Sequence, residues 1–282
     1  MSPNILDGAM GSEIIKRGVK LPKHIWSAWA NIAHPNLVKK IHQEFIEAGC
    51  HYITTNTFRT TTRSYKKVGL DSMKAQRVAM KSLNAAVEIA SQAAKSKVQI
   101  LGSIAPLEDC YMPDLYPGYK KAIDEYSTIG KALIDAGVDG LILETMNSIS
   151  ETIACLESIK KYCSLIWVSF NLKDSKHLQS GERLDLALNS IKKFHVDCVL
   201  INCNELDRTK EAMKVLVSNC STRWGIYPNL GIGEPSPDGF INDYANDQDF
   251  LSVSKEALHL GASVLGGCCG SSPKHIGLLA NL

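Results

Sequence analysis

The chain has 282 residues, of which 45% are hydrophobic and 21% are charged, a balance typical of a globular protein with a sizeable core. Its 31 Lys and Arg residues nearly cancel its 29 Asp and Glu residues, and the resulting net charge of +2 argues against a nucleic-acid partner. No apolar run reaches the roughly 18 to 20 residues of a membrane-spanning helix, and no signal-peptide pattern opens the chain. We therefore expect chemistry on small molecules, without a membrane partner.

The nine cysteines are odd in number and lie mostly in apolar segments, for example Cys155 and Cys198. This usage favours free thiols over a disulfide framework. It predicts a reducing compartment, the cytoplasm.

Short apolar or β-branched runs, each ending in small or polar residues, recur along the whole chain. Continuous runs of this kind are typical of strands buried on both faces of a parallel sheet. The eight predicted strands are Asn4–Gly8, His51–Asn56, Gln99–Ile104, Gly140–Glu144, Leu165–Asn171, Cys198–Cys203, Trp224–Asn229 and Ser263–Cys268.

Helical periodicity fills the intervals between the strands. Several of these stretches end one residue before a glycine, at Gly49, Gly137 and Gly261, where the left-handed conformation that ends a helix is open to glycine. The predicted helices include Leu37–Ala48, Met73–Ala94, Tyr119–Ala136, Ser150–Tyr162 and Gln248–Leu260.

Eight βα units in this length favour a closed (β/α)8 TIM barrel over an open doubly wound sheet. The spaced glycines of a dinucleotide-binding turn are missing after the first strand. No linker or composition shift divides the chain, so we expect a single domain over residues 1–282. The long polar connections Thr57–Leu70, Pro106–Tyr119 and Gly231–Asp247 are candidate lids.

The carboxyl ends of the predicted strands are rich in polar residues. A barrel places its active site at these ends, so the side chains should meet at one mouth. They include Asp7, Thr54, Thr55, Asn56, Glu144, Asn171, Asn202, Cys203, Asn204, Asn229, Cys268 and Cys269.

Three of these residues are cysteines. Cys268 and Cys269 follow the eighth strand, and Cys203 ends the sixth, so barrel curvature should bring the thiols together. Three thiolates with one open position predict a catalytic Zn²⁺ site. The flanking glycines support this interpretation because they permit two successive side chains to face one ion. Two alternatives stay open: a buried pair of small residues, and a redox-active pair that leaves Cys203 without a role.

The two acids are ambiguous when each is taken alone. Asp7 precedes a glycine and suits a turn, and Glu144 suits the N-terminus of a helix. The eight histidines are scattered without paired spacing, and we expect them to be surface or packing residues.

Taken together, the motifs resemble the homocysteine S-methyltransferase family over nearly the whole chain. The segment with the cysteine pair, combined with Cys203, is the most specific part. The segments that carry the resemblance are Leu6–Glu13 with Arg17 and Gly18, Thr54–Phe58, Gly102–Pro106, Glu144 with Thr145, Ser169–Asn171, Ser180–Glu182, Ile201–Asn204, Tyr227–Asn229, and Gly266–Gly270 followed by Pro273, His275 and Ile276.

The resemblance implies a (β/α)8 barrel in which Cys203, Cys268 and Cys269 hold zinc. It implies further that Asp7 and Glu144 hold the amino group of homocysteine, with Thr55 near the backbone atoms of that substrate. It also makes Asn202 and Asn229 supporting polar residues in substrate binding. One departure is the stretch Lys173–His177, which lacks the glycine expected after its aspartate.

The expected activity is methyl transfer to homocysteine from a methyl-sulfonium donor, giving methionine. S-methylmethionine is the first choice of donor and S-adenosylmethionine the second, because the chain has no room for folate or cobalamin domains. Three alternatives remain: a selenocysteine or other thiol or selenol methyltransferase, a non-catalytic zinc- or thiol-binding barrel, and a redox protein.

Overall fold

The computed structural model describes residues 2–232 and 243–282 of the chain. Ten strands lie in this part. They are β1 Asn4–Ile5, β2 Tyr52–Thr54, β3 Gln99–Ile104, β4 Gly140–Met146, β5 Ile166–Phe170, β6 Cys198–Asn202, β7 Arg223–Tyr227, β8 Gly231–Ile232, β9 Asp243–Tyr244 and β10 Val264–Leu265.

Eight of these strands form one parallel sheet in the order β1-β10-β7-β6-β5-β4-β3-β2. A parallel bridge between Leu6 and Tyr52 joins the first strand to the last in this order. The amide of Asp7 also donates to the carbonyl of Tyr52 at 3.0 Å, and the amide of His51 donates to the carbonyl of Ile5 at 2.7 Å. The sheet is therefore a barrel, and the predicted (β/α)8 fold is confirmed.

Helices follow the strands around the outside of the barrel. All five helices named from the sequence are present, with their ends shifted by at most three residues. Gly49, Gly137 and Gly261 take the predicted left-handed conformation, with φ of 102°, 97° and 96°. The helices are α1 Met10–Lys16, α2 Ala30–Ala33, α3 Pro35–Glu47, α4 Thr62–Lys67, α5 Ser72–Ala94, α6 Tyr119–Asp135, α7 Ile149–Ile159, α8 Leu184–Ile191, α9 Leu206–Asn219, α10 Asp247–His259 and α11 Pro273–Ala280.

The apolar residues form two layers. Alternate residues of the strands point inward, and there Trp167 packs against Tyr52 with 4.7 Å between ring centroids. The outward-facing residues pack under the helices in a larger cluster that includes Ile53 and Phe170. The interior is thus filled with side chains, as in other barrels of this size, and only its two ends are available for a site.

The connections predicted to be lids differ in structure. The first contains helix α4, and the second contains a 3-10 turn at Pro113–Leu115. In the third, β8 pairs with β9 in a short antiparallel hairpin, and residues 233–242 of that predicted lid lie outside the described residues. Across the described ranges, no helix combines the length and apolar character needed to cross a membrane.

Candidate active site

The three cysteines predicted to meet do lie together at the carboxyl end of the barrel. The Sγ atoms of Cys203, Cys268 and Cys269 all lie within 4.8 Å of one another, and those of Cys203 and Cys269 are 3.6 Å apart. In the part of the chain that the structure describes, this is the one group of three or more His, Cys, Asp or Glu side chains close enough to hold a metal ion.

The glycines around the cysteine pair serve two different purposes. Gly270 has a φ of 81°, a conformation that other residues rarely adopt. Gly267 is required by close packing instead, because a Cβ atom there would lie 2.5 Å from the Cβ of Ser271. The expectation that these glycines supply unusual backbone conformations therefore holds for Gly270 and not for Gly267.

The turn that carries Cys268 and Cys269 is held by hydrogen bonds from neighbouring segments. The carbonyl of Cys269 accepts from the amide of Leu230 at 2.8 Å. The amide of Gly270 donates to the Ser12 hydroxyl at 2.9 Å, and its carbonyl accepts from the Lys16 ammonium at 3.2 Å. Helix α1, which follows the neighbouring strand β1, thus holds the turn through Ser12 and Lys16 and limits the movement of the Cys268 and Cys269 thiols.

Cys203 has a left-handed backbone as well, with a φ of 55°. A non-glycine residue in this region is strained by about 1 to 3 kcal/mol, so its surroundings must hold it there. The buried amide of Asn171 donates to the carbonyls of Asn202 and Cys203, both at 3.3 Å, and Gln179 donates to Asn171 at 2.8 Å. These contacts fix the direction in which the Cys203 thiol points.

The three thiols differ in the direction in which their pKa values are shifted. Hydrogen bonds from Cys268 and Cys269 lower the pKa of Cys203 well below its ordinary value. Hydrogen bonding with Cys203 raises the pKa of both Cys268 and Cys269 well above it. One thiolate therefore forms readily, while three adjacent thiolates need a cation to offset their repulsion.

The two predicted acids lie at the same mouth. Asp7 follows β1, is buried, and accepts a hydrogen bond from the amide of Thr54 at 2.9 Å. Glu144 lies where the pairing of β4 with β5 shifts register between Leu143 and Met146, and its carboxylate accepts from the Ser103 hydroxyl. Such irregularities commonly redirect a side chain beside an active site.

Neither acid has a positive partner in the described residues. Burial raises the pKa of Asp7 well above its ordinary value, and repulsion from Glu144 adds to this against the hydrogen bonds from Thr54. Burial also raises the pKa of Glu144 to about 7, with a further contribution from the charge of Cys203 and opposed by the bond from Ser103. A bound cation would relieve both shifts.

Asn202 connects the acid side of the mouth to the thiol side. Its carbonyl oxygen accepts from the Thr145 amide at 3.0 Å and from the Ser169 hydroxyl at 2.6 Å. Its amide nitrogen lies 3.1 Å from the Thr145 hydroxyl and 3.9 Å from the Cys268 Sγ. Thr145 is left-handed, with a φ of 61°, so Asn202 holds the residue after Glu144 in a strained conformation.

Thr55 and Asn229, the other two predicted site residues, have partners in the protein. The Thr55 hydroxyl accepts from the Ser103 amide at 3.0 Å and lies 2.7 Å from the Thr57 hydroxyl. The side-chain oxygen of Asn229 accepts from the Gly231 amide at 2.8 Å. Both side chains therefore shape the strand ends on which they lie.

The sequence patterns did not assign a role in this site to Tyr111, Ser12 or Lys16. The hydroxyl of Tyr111 lies 3.6 Å from the Cys203 Sγ, and Ser12 and Lys16 bind the cysteine turn. Ser12 is part of the first motif, but nothing in its local sequence indicates a partner 258 residues away. The histidines lie outside the thiol group, and His42 is fully buried, where burial lowers its pKa to about 4.

The fold and the site together define a (β/α)8 barrel enzyme with a three-thiol centre and two acids at one mouth. A sequence model of the family described as "Homocysteine S-methyltransferase" matches residues 4–282. The chain belongs to the homocysteine S-methyltransferase family, a class of methyltransferases.

Individual relatives agree with this assignment at modest identity. The chain is 28% identical to "Homocysteine S-methyltransferase YbgG" of Bacillus subtilis, covering 96% of this chain and 91% of that protein. It is also 28% identical to "Homocysteine S-methyltransferase" of Escherichia coli, covering 98% and 93%. The crystal structure of the E. coli homocysteine methyltransferase MmuM in its metallated form superposes with a TM-score of 0.85 at 26% identity, covering 100% of this chain and 96% of that one.

Proposed function

We propose that this protein is a zinc-dependent homocysteine S-methyltransferase that uses a methyl-sulfonium donor and forms methionine. The observation that carries the proposal is the convergence, at one end of the barrel, of three thiols and of two acids that have no cationic partner among the described residues. The family assignment supports the acceptor, and the geometry of the site supports the metal and the sign of the donor's charge. The activity would reside in one barrel domain of residues 1–282.

The three cysteines fit a catalytic zinc ion. Zinc prefers tetrahedral sulfur or nitrogen ligands, and a catalytic ion keeps one position for substrate, which matches three thiols without a fourth His, Cys, Asp or Glu ligand among the described residues. Bound zinc would favour the thiolate form of an acceptor thiol, whose ordinary pKa of about 8.5 leaves it mostly protonated at neutral pH. Cys203, Cys268 and Cys269 would hold the ion.

The two carboxylates would bind the acceptor's ammonium group. Burial without a positive partner among the described residues raises the pKa of Asp7 and of Glu144, and a substrate ammonium would supply that partner and favour the carboxylate form of both. Their contribution is to position the acceptor and not to transfer a proton in the reaction. We propose that Thr55, Asn202 and Asn229 support the acceptor from the surrounding strand ends.

A sulfonium donor suits an anionic site because transfer of its methyl group removes charge. The bond from the donor sulfur to the methyl carbon breaks, and its electron pair stays on that sulfur, which becomes a neutral thioether. The acceptor thiolate supplies the electron pair of the new bond. S-methylmethionine is our first choice of donor and S-adenosylmethionine our second, and methionine biosynthesis is the corresponding role.

All nine cysteines are free, which is consistent with the reducing cytoplasm that we propose as the location. Zinc content and methionine formation, measured on one reduced sample with the two sulfonium donors in parallel, test the function. One zinc per chain with homocysteine-dependent turnover would support it and identify the donor. Properly reduced protein without zinc would contradict the metal assignment.

Two other outcomes would replace the proposal. Faster turnover with a selenol acceptor than with the matched thiol would indicate a selenocysteine or other thiol or selenol methyltransferase. Stoichiometric zinc without turnover on any of these substrates would indicate a non-catalytic zinc- or thiol-binding barrel.

A further inference from the structure

Tyr111 lies at the barrel mouth, in the segment between β3 and α6. Its hydroxyl oxygen is 3.6 Å from the Cys203 Sγ, yet 54% of the residue is exposed. The end of the side chain therefore reaches the cluster of three thiols, while much of the residue faces solvent beside that cluster. An aromatic ring so placed is available to a ligand that approaches the thiols from outside.

The backbone around Tyr111 is held by contacts from two other connections. The Arg59 guanidinium donates to the carbonyl of Glu108 at 2.8 Å. The Asn147 amide donates to the carbonyl of Cys110, the residue before Tyr111, at 3.1 Å. These bonds tie the segment to the connections that follow β2 and β4, so the position of the ring is fixed by the barrel.

The rim next to Tyr111 is also apolar. Met112 and Leu115 are 53% and 46% exposed, so this segment presents apolar surface to solvent as well as the ring of Tyr111. Asp7 and Glu144 are already assigned to the acceptor's ammonium, and the donor brings a positive charge of its own. Within this segment the Tyr111 side chain reaches a thiol of the site, whereas the nearby carboxylate of Asp109 accepts a hydrogen bond from the Tyr111 backbone amide at 3.0 Å. The aromatic ring is therefore the group that the structure places beside the thiols to receive the donor.

We propose that Tyr111 contacts the methyl-sulfonium donor and makes the site prefer a sulfonium over a neutral thioether. The proposal rests on the function proposed above. The electron-rich face of an aromatic ring attracts cations, and the effect amounts to about two- to thirtyfold in affinity. The contact with Cys203 holds the ring beside the thiols, where the methyl group must arrive.

The proposed contact between the Tyr111 ring and the donor sulfonium also favours product release. When the methyl carbon leaves, the donor sulfur keeps the electron pair of the broken bond and becomes neutral. The attraction between the ring and the donor sulfur is thereby lost in the step that forms the product. Tyr111 would then discriminate between the substrate and its own demethylated product.

The test compares Tyr111→Leu with Tyr111→Phe, which keeps the ring. Tyr119→Leu is the matched control, because Tyr119 is 53% exposed in the same region but its hydroxyl bonds to Glu157, away from the thiols. Two readouts are needed: donor and acceptor KM in the zinc-loaded enzyme, and calorimetric binding to the reduced, metal-free protein. The calorimetric ligands are the two sulfonium donors, S-methylmethionine and S-adenosylmethionine, and methionine, whose thioether sulfur carries no charge.

We expect Tyr111→Leu to raise the donor KM and to weaken sulfonium binding by about two- to thirtyfold. Methionine binding and the homocysteine KM should stay unchanged, Tyr111→Phe should lose less, and Tyr119→Leu should match the wild type. Unchanged sulfonium binding in Tyr111→Leu, or an equal loss for methionine, would overturn the role of Tyr111 alone. A zinc-loaded wild type that turns over neither sulfonium would overturn the proposed function and this inference with it.

Discussion

Replacing Glu144 with glutamine should stabilise the ligand-free protein while weakening acceptor binding. Burial raises the pKa of Glu144 from 4.5 to about 7. The folded state therefore binds its proton more tightly than the unfolded state does, and stability falls as pH rises between these two values. Above pH 7 the shift corresponds to at most about 3 kcal/mol, less whatever solvent at the mouth screens. Glutamine removes this penalty and still accepts a hydrogen bond from Ser103.

Thermal unfolding of the reduced, metal-free protein measures the effect. In Glu144→Gln we expect a midpoint about 2 to 10 °C higher than the wild type at pH 8, with the difference disappearing towards pH 4.5. Glu211→Gln is the control with the opposite sign, because the hydrogen bond from Lys214 lowers the pKa of Glu211. A stabilisation of equal size at pH 5 and pH 8 would refute the burial argument. In the same variant, the acceptor KM should rise about 10- to 100-fold if the carboxylate binds the ammonium.

Three further variants, with one control variant, examine the thiol centre. Cys203→Ser should lose zinc on dialysis, measured by elemental analysis, whereas Cys155→Ser, at a buried cysteine outside the centre, should keep it. Ser12→Ala should release zinc to a chromogenic chelator about tenfold faster than the wild type, because it removes the hydrogen bond that holds the turn carrying Cys268 and Cys269. An unchanged rate of zinc release would refute the role of α1. Asn202→Ala should weaken both zinc binding and acceptor binding. It should also lower the free energy of unfolding by about 1 to 3 kcal/mol, because it leaves the Thr145 amide without its acceptor. Loss of only one of the two affinities would show that Asn202 does not link the acid side of the mouth to the thiol side.

The sequence was sufficient to predict the barrel, because its signals are local and repeat eight times. Apolar runs, helical periods and helix-ending glycines each depend on a few adjacent residues. Parallel strands in a closed sheet must also end on the same side, so the meeting of Cys203 with Cys268 and Cys269 followed from their places at strand ends. The extent of the strands was less predictable, since the last one pairs only over Val264–Leu265.

The supporting contacts were not predictable, because each joins segments that are distant in the chain. Helix α1 carries Ser12, whose partner Gly270 is 258 residues away, and Tyr111 is 92 residues from Cys203. Neither residue type nor local spacing encodes such a pairing. The same holds for the glycines near the cysteine pair, where the sequence could not distinguish the left-handed Gly270 from the closely packed Gly267.

The left-handed conformations of Thr145 and Cys203 show how this barrel aims its functional groups. Thr145 lies in the irregular end of β4, and Cys203 directly follows β6. Neither is a glycine, so the strain must be offset by particular contacts. Asn202 bonds with Thr145, while Asn171 bonds with the carbonyl of Cys203. Two buried amides on adjacent strands therefore hold the acid side and the thiol side in register. A change to either amide should disturb the geometry between acceptor and metal before it disturbs the barrel itself.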